Sequence, residues 1–161
     1  MKPESKIDKL SEAVKLCEIH FERMNYAFQK VVHHFPLKEE VYKQLNYDDL
    51  SYLDQLIFRF SKLQDSMGNR LFPAILENLE EDIEGKPFID LLTKMEKLNL
   101  IENHRLWLKL RETRNLVTHE YPFFAPEIIE GLNLLVEQAN VLEKIWNNLR
   151  QFAIERFDIQ G

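Results

Sequence analysis

Two apolar seams restrict the fold more than any other feature of the chain. Between residues 5 and 35 the apolar side chains fall at Ile7, Leu10, Val14, Cys17, Phe21, Met24, Phe28, Val31 and Phe35. The steps alternate between three and four, which draws one stripe along a helix and suits packing against other helices. Residues 126–157 repeat the pattern at Ile128, Leu132, Leu135, Ala139, Leu142, Trp146, Leu149 and Ala153. A strand cannot use this spacing, because its side chains change face at every residue. The two seams are expected to pair, first helix against last. No stretch shows strand-like alternation, and no internal repeat or low-complexity segment occurs.

The intervening chain also reads as helices. Pro36 stops the first one. Residues 37–48 are polar and read as a loop, with Asp48 or Asp49 as N-cap of the next helix. That helix runs from Leu50 toward Glu80 on the seam Leu50, Leu53, Ile57, Phe60, Gln64, Met67, Leu71 and Ala74. Gln64 is polar in an apolar row. It is read either as a buried amide that fixes packing register or as a group facing a site, with Asp65 beside it. Pro73 removes a backbone donor and is expected to kink the helix near Gly68–Asn69. The acidic run from Glu77 to Glu84 reads as a solvated helix end, and Gly85 and Pro87 divide it from a short helix over residues 88–98. Asn103 is the expected N-cap of a fourth helix whose buried line is Leu106, Leu110 and Val117. His20, His33 and His34 read as surface or rim residues. The sum is an all-α, up-and-down bundle of four to five helices in a single domain, 1–161, with the second helix kinked near Pro73.

Composition limits function. With 45% hydrophobic residues the chain can bury a core. Its single cysteine, Cys17, excludes an internal disulfide and a Cys-based zinc site, and fits the cytoplasm. No apolar run approaches the roughly 20 residues that cross a bilayer, so no membrane role is expected. The start of the chain lacks the apolar core of a signal peptide. A net charge of −6 argues against a general nucleic-acid coat. Residues 104–118 reverse that sign locally: Arg105, Lys109, Arg111 and Arg114 face Glu112 alone.

That basic stretch runs into Arg114-Asn115-Leu116-Val117-Thr118-His119-Glu120-Tyr121, followed by Pro122. It combines a fixed cation, a titratable base and a phenol. This combination suits metal-free cleavage of a phosphodiester. Histidine titrates near 6.5 and can serve as base or acid, while arginine offers paired N–H donors to a phosphate. Asn115 would orient the phosphate or His119. On a regular helix His119 would lie about 140° around the axis from Arg114. Convergence therefore needs the last turn to unwind before Pro122, or a two-fold dimer that supplies each group twice. No metal-ligand set and no cofactor motif accompany these residues.

Arg114-x4-His119-x-Tyr121 resembles the signature of HEPN ribonucleases, and in particular the HepT toxin family. Asn115 fits the polar position after the arginine. Phe60–Glu77, with Lys62-Leu63-Gln64-Asp65 and Leu71-Phe72-Pro73-Ala74, is similar to that family's second helix. The resemblance implies an up-and-down helical bundle and a homodimer or higher even oligomer that places two Arg–His pairs in one cleft. It implies metal-independent endonucleolytic cleavage of RNA, and a separate minimal nucleotidyltransferase as antitoxin, which transfers AMP to Tyr121. Proteins of this type are also described as non-catalytic substrate-binding subunits of such nucleotidyltransferases. The chain is not the transferase itself, since it lacks a Gly-Ser loop followed by paired aspartates.

Overall fold

A computed structural model describes residues 4–118 and 125–160. The described chain is all-helical, and its helices pack as a bundle around one connected apolar core. The elements are α1 (Lys6–Val31), α2 (Glu39–Lys43), α3 (Tyr47–Ser66), α4 (Phe72–Asn78), α5 (Phe88–Lys97), α6 (His104–Thr118) and α7 (Ala125–Phe157). No described helix is long and apolar enough to cross a membrane.

Local chemistry sets most boundaries. Ser5 caps α1, its hydroxyl accepting from the Asp8 N–H. Asn46, rather than Asp48 or Asp49, caps α3, and Asp49 instead returns the bond to Asn46 N–H as the third residue of a capping box. The segment read as a loop after Pro36 contains the short helix α2. Its approach is clamped by Asn133 of α7, whose Oδ1 accepts from Leu37 N–H at 2.6 Å and whose Nδ2 donates to Leu37 C=O at 3.1 Å. Of the acidic run only Glu77 lies in α4; the rest follows its end, where Glu80 adopts φ 60° and Glu81 N–H turns back to Leu76 C=O. Asn99, also at φ 60°, ends α5 in the same way, with Leu100 N–H bonded to Met95 C=O.

α3 and α4 form one rod interrupted by a π-helical turn over Met67–Leu71, where Pro73 was expected to distort the helix. Proline donates no bond to the carbonyl four residues back and crowds it, and a widened turn takes up that misfit. Gly68 within it is needed for a close approach. A Cβ there would stand 3.3 Å from Trp107 Cζ2 of α6 and 3.5 Å from Phe88 Cζ of α5. The widened turn therefore docks against both later helices.

The helix pairing differs from the expected one. α1 lies mainly along α3, and α7 mainly along α6, while α1 and α7 meet over a smaller area that includes the Arg150–Glu18 ion pair at 2.7 Å. Both seams are buried along most of their length, Ile7 being exposed, but each packs against several elements rather than one partner. The buried line of α6 is also shifted. It is Trp107, Leu110 and Thr113, with Leu106 and Val117 at its margins.

His20 is not a rim residue but lies buried between α1 and α3, 8% exposed. Arg59 Nη1 donates to its Nδ1 at 2.9 Å. A guanidinium has no acceptor, so His20 must be neutral with its proton on Nε2. Burial, followed by the fields of Arg59, Lys62 and Arg23, holds its pKa below 6.5. The unfolded chain regains the ordinary value and binds a proton that the fold refuses. The contribution is thus fully present above about pH 6.5 and is lost as pH falls from there toward the folded-state value. The urea midpoint of the native protein should drop between about pH 7.5 and about pH 5.5. In His20→Gln, whose amide oxygen still accepts from Arg59 but does not titrate, the drop should be smaller. Equal drops would mean that His20 is not the coupled group.

Candidate functional site

The outer end of α6 meets the last turn of α3 at Arg114, which pairs with Asp65. Arg114 follows Trp107 by seven residues and Leu110 by four, so it rises from the same face as the buried line. Its side chain leaves the core and closes a two-point ion pair with Asp65: Nε donates to Oδ1 at 3.2 Å and Nη2 to Oδ2 at 2.9 Å. About a third of each side chain remains exposed. The planar fork is therefore fixed in orientation, while no described residue hydrogen-bonds Nη1.

The pair divides two depressions. On one side is an open cleft of about 440 Å³ between α3 and α6, lined among others by Phe58, Ser61, Lys62, Asp65, Arg114 and Thr118. On the other is a smaller pocket of about 140 Å³ lined by Gln64, Asp65, Gly68, Phe88, Trp107 and Arg111 among others. Asp65 belongs to both. Gln64 is buried, 4% exposed, and its Oε1 meets no described partner. It both packs in the α3 seam and faces the small pocket, so the two readings of this residue are not exclusive. Arg111 lies 5.5 Å from the centre of the Phe88 ring at the rim.

Arg114, Asp65 and Gln64 thus gather around one junction. Asn115 is exposed and lines neither depression. His119 and Tyr121 lie outside the described residues. α6 is described to Thr118, the residue before His119, whose hydroxyl folds back onto Arg114 C=O at 2.9 Å. Among the described residues no three His, Cys, Asp or Glu side chains gather as a metal-ligand group.

Asp65 is named by the sequence, whereas Phe58, Ser61 and Lys62 are cleft residues it does not single out as site groups. All four lie on one face of α3, each three or four residues from another of the set. That face lies beside the apolar seam, and a search for apolar periodicity passes over it. Cys17 plays no part here. Its thiol is fully buried in the core and desolvation pushes its pKa up to about 12, which makes it a packing group.

No family model matches this chain, and neither a curated protein nor a solved structure is matched.

Proposed function

We propose that the chain is a metal-independent RNA endonuclease, active as a homodimer or higher even oligomer. Its partner is a minimal nucleotidyltransferase that silences it by transferring AMP to Tyr121. The observation that carries the reading is Arg114: a guanidinium oriented at two points by Asp65, with Nη1 left for a ligand, beside an open cleft at the end of the helix that leads into His119.

RNA brings its own nucleophile. One His119 takes the 2′-hydroxyl proton as that oxygen attacks the adjacent phosphorus. The second His119 of the dimer gives a proton to the departing 5′-oxygen. The products are a 2′,3′-cyclic phosphate and a free 5′-hydroxyl. Arg114 holds the non-bridging oxygens and offsets their growing charge. Two imidazoles in opposite protonation states give a bell-shaped dependence on pH. AMP on Tyr121 would add a phosphate charge two residues from His119 and compete for Arg114.

Purified protein should cleave RNA in excess chelator, and His119→Ala should lower the rate by at least about 100-fold. Cleavage that requires added divalent metal would overturn the reading. The net charge of −6 favours a second reading, a non-catalytic subunit that presents Tyr121 or a nucleotide to the transferase. In that case the co-expressed pair would carry adenylate mass on Tyr121, yet the purified chain would leave RNA intact.

A further inference from the structure

A second feature lies on the α1–α3 face, next to the Arg114 cleft. Arg23 of α1 and Arg59 and Lys62 of α3 stand together there, and all three bear on buried His20. None of the three takes part in an ion pair among the described residues. This sets Arg59 apart. The other half-buried arginines, Arg114 and Arg150, each meet a carboxylate, Asp65 and Glu18. Arg59 is also half-buried, yet among the described residues its guanidinium hydrogen-bonds the neutral His20 ring, lies 5.0 Å from the ring of Phe58, and meets no carboxylate. Removing a cation from water without an opposite charge is unfavourable. The pKa of Arg59 is accordingly lowered by its own burial and by Arg23.

Phe58 is 49% exposed, large and apolar, and two of these cations, Arg59 and Lys62, approach its ring. Lys62 Nζ lies 5.6 Å from its ring centre. Phe58 and Lys62 also line the cleft that holds Arg114. The surface is therefore continuous: Arg23 and Arg59, then Phe58 and Lys62, then the Arg114–Asp65 pair. From Arg59 to Asp65 is six residues, about 9 Å along the helix. The cleft also contains Asp54 and Asp65, the latter neutralised by Arg114. Cations interleaved with an exposed ring suit a single-stranded polyanion whose bases stack.

We propose that this face is the path by which single-stranded RNA reaches Arg114, with Arg59 and Lys62 holding backbone phosphates and Phe58 stacking a base. The proposal rests on the reading above that the substrate is RNA. It adds where the strand runs beyond the bond that is cut. A protein partner would also cover Phe58, but three cations without carboxylates favour an anionic strand over an ordinary apolar interface.

The test is fluorescence anisotropy with a labelled oligouridylate of about 12 nucleotides, alongside chelator-resistant cleavage of the same RNA. Lys62→Gln and Arg59→Gln together should weaken binding by about tenfold and reduce the log–log salt slope by about 1.4. Phe58→Ala should weaken it about tenfold with little change in that slope. Lys62→Gln alone makes the folding control, since Lys62 has no hydrogen bond among the described residues, whereas Arg59 supports His20. Variants that bind like the parent, while the parent cleaves, would overturn this path and leave the nuclease reading intact. Binding that depends on these residues without any cleavage would support the path and overturn the nuclease reading. Unchanged RNA affinity together with a shift in oligomeric state for Phe58→Ala would make the face a protein interface and overturn the path. A parent that neither binds nor cleaves RNA would overturn both.

Discussion

Arg114→Ala should slow RNA cleavage by about 10²- to 10³-fold while leaving the fold in place. The size follows from the task assigned to the guanidinium, which is to meet charge that grows on the phosphate only as the bond breaks. Stability should change little. The Asp65 pair is about one-third exposed on each side, and such pairs contribute about 1 kcal/mol or less. Arg114→Lys keeps the charge but loses the fork, so it should recover only part of the rate. Asp65→Asn is the informative companion. It keeps the shape but turns one acceptor into a donor that opposes Nε or Nη2 of Arg114. As a positioning residue, Asp65 should matter only through Arg114. Asp65→Asn should lower the rate in the parent but add almost nothing in the Arg114→Ala background. Additive losses in this cycle would mean that Asp65 acts independently. An undiminished rate in Arg114→Ala would remove the phosphate-holding role altogether.

How much of this was legible in the sequence depends on what each feature rests on. The helical class rested on spacing alone, and spacing survives because a stripe of Leu10, Val14, Cys17 and Met24 has no other use. The π-helical turn was foreshadowed by Pro73, whose missing N–H is a local property. Helix partners were not legible. The seams of α1 and α7 each say that something apolar lies opposite, but not which element. Alike as they are, both pack more extensively on a different neighbour. His20 was misjudged for the opposite reason. Its position beside the α1 seam says rim, and only the arrival of Arg59 from α3 makes a buried neutral imidazole tolerable. The site was half legible. Arg114 announced itself by its company in sequence, but its orientation depends on Asp65, 49 residues earlier. No local pattern predicts that contact. Apolar spacing runs the buried line of α6 through Leu106, whereas the side chain sunk in the core is Trp107, one position away.

That neighbouring position is where the largest loss of stability is expected. Trp107→Ala should cost about 3–5 kcal/mol, a large share of the roughly 5–15 kcal/mol that holds a typical domain together. Trp107 is 1% exposed and is among the largest fully buried side chains. Its ring lies 4.5 Å from that of Phe72 in α4, tilted by 54°, and Phe72 in turn stacks on Phe88 of α5 at 6.4 Å. The indole therefore joins α6 to α4 and α5 at once. The gap is not easily filled from the α3–α4 side, because Gly68, whose backbone lies against the indole, has no side chain to move in. The melting temperature should fall by roughly 10 °C. Trp107→Phe, which fills most of the volume, should cost much less. The chain has two tryptophans, so Trp146 remains as the fluorescent reporter in both variants. The consequence for function follows from the helix face. Arg114 stands two turns beyond Trp107 on that face, and the wall of the smaller pocket is built from Trp107 itself. Below its lowered melting temperature, Trp107→Ala should still cleave RNA, but more slowly, since the helix that presents Arg114 has lost its aromatic contact with α4 and α5. A melting temperature within a degree or two of the parent's would show instead that α6 is held mainly by α7, and that the aromatic contact is incidental.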